Sequence, residues 1–206
     1  RAGIGSSLMH EVGHQAVALL NLLPSLRAVL QAKQLLAGAE RRIWRMWDLW
    51  ISEIAADFWA VAQLGITATF GLMSVVSLPR VFVFRVGLDD PHPVPWIRVL
   101  LSCALGNAMY PHPEWAKAGE LWKTLYPLRD LDAGRLVIFQ ELEGAIPEVV
   151  RLLIESGADV HARTDGGIAH VGQVVGLAVR GDLAVLDLDE VTHMDVLAQL
   201  GARAQA

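Results

Sequence analysis

Two histidines four residues apart, His10 and His14, with a glutamate beside the first at Glu11, are the residues of this chain best suited to chemistry. On a helix, positions i and i+4 share a face, so both imidazoles can grip one ion. Glu11 projects next to them, where a carboxylate can take a proton from water. Zinc held by two histidines and one further protein group keeps a fourth position open, as catalytic zinc requires. The segment 52–57, Ser-Glu-Ile-Ala-Ala-Asp, offers that further group, because Glu53 and Asp57 are again i and i+4. One carboxylate can complete a zinc sphere, which suits Glu53. Another can hold a ligand imidazole in the right tautomer through its free N–H, which suits Asp57. Trp50, Ile51, Ile54, Phe58 and Trp59 around them are apolar. A buried carboxylate without a partner is costly in such surroundings, and a metal offsets that cost. A third element follows: His92, then Pro93 and Pro95, then Arg98 on the first turn of the next helix.

In order and in kind, these three elements resemble the gluzincin metallopeptidases, in particular the CAAX prenyl protease group and its small soluble relatives. Those proteins carry a two-histidine helix, a Glu-x-x-x-Asp helix, and a His-Pro segment with an arginine six residues after the histidine. His92 and Arg98 match that spacing. The resemblance covers about residues 5–100, roughly half the chain. It implies that His10, His14 and Glu53 bind one Zn2+ per chain, with Glu11 as general base and Asp57 behind the ligands. His92 or Arg98 would lie near the site as an electrophilic or structural group. The implied activity is hydrolysis of peptide bonds in a peptide or protein substrate. The family's sheet precedes its first motif helix, and only nine residues precede His10 here. The expected fold is therefore mainly α, a zincin-like helical core with little or no β-sheet. The alternative from another class is a zinc-bearing helical scaffold or protein-interaction module without catalysis.

Helices must carry these residues, and the pattern supplies them. Residues 6–23 read as a helix capped by Ser6 or Ser7 and ended by Pro24. A second helix spans 26–36, with Gly38 as its stop. Residues 39–65 form a long helix whose Trp44, Trp47, Trp50, Ile51, Ile54 and Phe58 recur at three- and four-residue spacings, as core packing rather than a binding platform. The prolines and acids of 88–95 make a loop. Helices at 96–109 and 114–125 follow, separated by Pro111 and Pro113. An amphipathic helix at 146–156 stops at Gly157. Residues 148–160 resemble the second half of an ankyrin repeat, but a single unit cannot bury its own faces and no second copy occurs. A glycine-rich stretch at 164–176, an unpatterned segment at 177–191 and a short helix capped by Thr192 complete the chain. The organisation expected is a zincin-like core over 1–130, lacking its N-terminal part, and a helical C-terminal extension over 131–206.

Composition narrows the partners. The 206 residues are 53% hydrophobic and 19% charged, which excludes a disordered chain. A net charge of −5 with no basic stripe excludes nucleic acid as the main partner. The single Cys103 excludes an internal disulfide and a thiolate zinc cluster. Residues 58–78 carry no charge and are long enough to span a bilayer. Their Gln63, Gly65, Thr67, Thr69, Gly71, Ser74 and Ser77 fit a buried core helix better than membrane association. The chain begins at Arg1 with no leader pattern, so it reads as a fragment or processed product, cytoplasmic, whose apolar surface meets a partner chain or its missing N-terminal segment. His112 reads as a surface loop residue, and His161, His170 and His193 show no ligand spacing.

Overall fold

The computed structural model describes residues 2–36, 38–87 and 89–163, with side chains up to 155 apart from those of 2 and 39. The glycine-rich stretch, the unpatterned segment, the Thr192 helix, His170 and His193 lie outside the described residues, as does the side chain of His161. Among the described residues eight α-helices follow one another: α1 (Ala2–Leu19), α2 (Leu22–Leu36), α3 (Arg41–Leu64), α4 (Ile66–Val76), α5 (Arg80–Val83), α6 (Pro95–Met109), α7 (Pro113–Leu125) and α8 (Ala133–Arg163). No strand occurs among the described residues, so the chain is mainly helical. The long α3 lies centrally, touching α1, α2, α4, α6 and α8.

Two boundaries differ from expectation for local reasons. Asn21, at a left-handed φ of 52°, separates α1 from α2, and Asn tolerates that conformation. Pro24 therefore does not end the first helix; it sits in the first turn of α2, where its missing N–H has no intrahelical partner to lose. Ser6 does not cap α1 either. It is buried within it, donating from Oγ to the Ala68 carbonyl of α4 at 3.0 Å.

Gly65, at a φ of 56°, breaks the charge-free run into the end of α3 and a separate α4. No helix among the described residues is long and apolar enough to cross a membrane. Thr69 and Ser102, both buried, hydrogen-bond each other at 2.7 Å between α4 and α6.

The last described helix corrects the expectation of a stop at Gly157. α8 begins at Ala133 and runs through Gly157 to Arg163, with Pro147 inside it. A proline in a helix interior costs about 3 kcal/mol. Burial of a large aliphatic side chain returns roughly 1.5–3 kcal/mol each. Phe139, Leu142, Ile146, Val149, Leu152 and Leu153 all join the common core, so packing outweighs the break.

Tryptophan N–H groups fix the segments that carry the third site element. Trp96 donates to the Tyr126 carbonyl (2.9 Å) and Trp122 donates to the Trp96 carbonyl (3.1 Å), which pins the start of α6. Trp50, fully buried on α3, donates to the Asp90 carbonyl at 3.1 Å and ties the 88–95 loop to the helix that carries Glu53. Trp44, Trp47 and Trp50 are core residues, the last two edge-on at 5.7 Å. Cys103 is a free thiol whose burial pushes its pKa up to about 12, so it is chemically quiet.

Candidate metal centre

The site forms where α1 crosses α3. Gly13 makes that crossing close: a Cβ there would stand 2.8 Å from the Ala56 carbonyl oxygen, 2.9 Å from Ala56 Cα and 3.1 Å from Trp59 Cβ. Only a residue without a side chain permits this approach. The neighbouring turns of α1 then present His10 and His14 to Glu53 and Asp57 one turn apart on α3.

The polar atoms converge tightly. His10 Nε2 and His14 Nε2 are 3.1 Å apart. Glu53 places Oε2 3.2 Å from His10 Nε2 and Oε1 3.2 Å from His14 Nε2. These three residues are the one group of potential metal-binding side chains among the described residues. Atoms about 2.0–2.1 Å from a tetrahedral zinc lie roughly 3.3–3.4 Å from one another. The two imidazole nitrogens stand near that separation, Glu53 brings one oxygen to each of them, and two imidazoles with one carboxylate are a donor set that zinc accepts.

Behind the three ligand candidates stands a second layer. His10 Nδ1 donates to Asp57 Oδ1 at 2.8 Å, which leaves the neutral ring's lone pair on Nε2, facing His14 and Glu53. Arg98 grips Asp57 with two donors, Nε to Oδ2 at 2.6 Å and a terminal nitrogen to Oδ1 at 2.9 Å. The same terminal nitrogen reaches Glu53 Oε2 at 3.4 Å. Arg98 is thus no solvated first-turn residue; its side chain is 12% exposed.

The electrostatics follow from this layer. Burial pushes the Asp57 carboxyl up, but the Arg98 charge and the hydrogen bonds from His10 and Arg98 hold it below its usual range. Glu53 behaves alike: burial raises it, and the His10 hydrogen bond and Arg98 charge lower it further. Burial pushes the His10 imidazole down, yet hydrogen bonds to Asp57 and Glu53 outweigh it and raise the ring to about 9.

His92 and Glu11 complete the predicted set at its edge. His92 is 59% exposed, with Nε2 3.8 Å from Glu53 Oε2. Glu11 is exposed on α1 and makes no hydrogen bond or ion pair among the described residues. The structure thus gathers His10, His14, Glu53, Asp57, Arg98 and His92 into one cluster and leaves Glu11, the chain neighbour of His10, exposed to solvent. His112 is elsewhere, capping α7 through Nδ1 to the Glu114 N–H.

Two contributors escaped sequence reasoning. Gly13 has no role in the sequence reading, although a glycine inside a helix that packs closely is itself a signal of contact. Asp90 reads as loop composition, yet its carboxylate accepts from both the backbone N–H and Nδ1 of His92. The Asp-x-His order of an Asx turn was the available clue. No protein-family model, no curated protein and no solved structure matches this chain.

Proposed function

We propose that the chain is a zinc-dependent metallopeptidase of gluzincin type, with His10, His14 and Glu53 as the ligands of one zinc ion. The observation that carries this reading is the convergence of two imidazole nitrogens 3.1 Å apart on a glutamate whose two oxygens each stand 3.2 Å from one of them, with an acid bonded behind one ring. A bound zinc supplies Lewis acidity, polarising a peptide carbonyl and making water a nucleophile at neutral pH. Glu11, exposed and free of other partners, accepts the proton of the attacking water and returns it to the departing amine. Asp57 keeps the His10 lone pair on Nε2, and Arg98 keeps Asp57 ionised and oriented. Arg98 is engaged with Asp57 and Glu53, so His92, at the edge of the group, is the candidate to meet the substrate, donating from Nε2 to its carbonyl oxygen only when the ring carries both protons.

The test is metal content of the purified chain, followed by hydrolysis of unstructured casein with and without a chelator. Stoichiometric zinc with chelator-sensitive hydrolysis supports the reading; a chain that takes up no zinc refutes it.

One observation favours a second reading, a zinc-bearing scaffold or interaction module. Ile4, Leu8 and Val12 are exposed at i, i+4 and i+8, an apolar stripe on the outer face of α1. Zinc uptake without hydrolysis, in the full-length protein, would select that reading.

A further inference from the structure

A groove of about 370 Å³, lined by Val81, Phe82, Phe84, Arg85, Val86 and Arg135, shares no residue with the histidine cluster. Phe84 is its buried member, edge-on to Phe139 at 5.3 Å and tilted against Trp96 at 6.2 Å, so that wall is fixed by the core. The apolar residues around it are uncovered: Val81 is 67% and Phe82 49% exposed. The cations differ in their commitments. Arg135 is bonded to Asp132, and Arg80 lies over the Phe84 ring at 4.7 Å and stands 3.6 Å from Asp130. The Arg85 side chain has no hydrogen bond or ion pair among the described residues; its charge bears on Asp90, which is itself bonded to His92. An occupant that fits must bring apolar side chains to Val81, Phe82 and Phe84 and a carboxylate to Arg85.

The chain carries such a stretch beyond α8. Residues 182–191 read Asp-Leu-Ala-Val-Leu-Asp-Leu-Asp-Glu-Val, in which Leu186, Leu188 and Val191 interleave with Asp187, Asp189 and Glu190. No lysine or arginine occurs between Arg180 and Arg203. The reach suffices: α8 carries the chain roughly 42 Å past Arg135, and residues 164–181 can span up to about 60 Å. A second copy placing its own groove here would bring arginine against arginine, the wrong complementarity. We infer that the segment 182–191 of this chain docks in the groove, its apolar side chains against Phe82 and Phe84 and its acids against the Arg85 guanidinium. This goes beyond the metal reading and does not depend on it.

The experiment uses the full chain. Arg85→Lys keeps the charge and introduces an amine, which carbodiimide couples without a spacer to a carboxylate it touches. Peptide mass spectrometry on an equal mixture of 14N and 15N chains then locates the bond and tells linkage within a chain from linkage between chains. Position 85 should couple within one chain to an acid of 182–191. Linkage only to acids outside that segment, only between chains, or none at all overturns the inference. A second readout is the rate at which maleimide labels Val81→Cys, Cys103 being buried. Adding Asp187→Asn, Asp189→Asn and Glu190→Gln should speed labelling at least about threefold, as the loss of a few surface ion pairs allows. Raised salt should speed it in the Val81→Cys chain that keeps those acids. A labelling rate indifferent to both changes overturns the inference and leaves the groove to a separate ligand.

Discussion

Replacing Gly13 by alanine tests whether the site depends on the closeness of α1 to α3. The added Cβ would meet the Ala56 carbonyl oxygen at 2.8 Å and Ala56 Cα at 2.9 Å, both backbone atoms that cannot rotate away. The helices must then part by several tenths of an ångström. Overpacking of this kind costs about 1–3 kcal/mol. Alanine in place of glycine within a helix returns about 1 kcal/mol, so the net loss is roughly 0–2 kcal/mol. For a chain of this length each kcal/mol moves Tm by about 2–4 °C. Gly5, on the same helix with nothing within 4 Å of a built Cβ, provides the control. Gly5→Ala should raise Tm by about 2–4 °C from propensity alone. Gly13→Ala should fall below it by about 2–12 °C, the full overpacking cost. Parting the helices also draws His10 and His14 from Glu53, so zinc affinity should drop at least about tenfold, as for lost supporting contacts. Thermal unfolding followed by tryptophan fluorescence and competitive zinc titration read the two effects. If Gly13→Ala matched Gly5→Ala in Tm and wild type in zinc affinity, the close crossing would not be what assembles the site.

Four further outcomes are expected. Glu11→Gln keeps zinc and Tm but lowers casein hydrolysis by at least about a hundredfold, and near wild-type turnover removes Glu11 from the reaction. His14→Ala and Glu53→Ala each lose stoichiometric zinc in metal analysis. Asp57→Ala weakens zinc binding roughly ten- to a hundredfold without abolishing it; the Asp57→Ala, Arg98→Ala double variant should be less impaired than the sum of the singles, and strict additivity would separate the two residues. Hydrogen bonds from Arg151 and Lys33 depress Glu148 from 4.5 to about 2, so its support is complete above pH 4.5 and lost as pH falls through 2. Denaturant titrations should accordingly show a smaller acid loss across that window in Glu148→Gln than in wild type.

The spacing of residues carried much of the site. Two i, i+4 pairs tell which side chains share a face, and the structure brings His10 and His14 against Glu53 and Asp57. Spacing is silent on how near two faces come, which Gly13 decides by having no side chain. The fold was legible where apolar periodicity was strong, as in α3, which lies within a residue or two of its expected bounds. It was less so where one residue type serves two purposes. Ser6 looks like a cap but is a buried cross-link between helices, and Pro24 looks like a stop but occupies a first turn. Gly157 looks like a stop, yet α8 runs on to Arg163, and a row of core contacts on either side of Pro147 holds the helix continuous through that proline. Local propensity yields there to burial that depends on residues more than a hundred positions away.

Arg98 answers a problem that the ligand set creates. Glu53 and Asp57 place two carboxylates in a pocket where both side chains are about nine-tenths covered. Ionised carboxylates taken from water each cost several kcal/mol unless paired. The zinc proposed above would supply the charge when bound, but the fold needs a compensating charge of its own. The guanidinium does so permanently: its planar fork meets both oxygens of Asp57 and still reaches Glu53. A lysine, with a point charge and no fork, could not hold that carboxylate plane in one orientation. With Asp57 kept ionised and oriented, the His10 Nδ1–H is always spoken for, and Nε2 waits as the only exchangeable position of that ring. The order of elements in the chain serves this end, since the arginine arrives on a helix pinned by Trp96 and Trp122 rather than on the loop that carries His92.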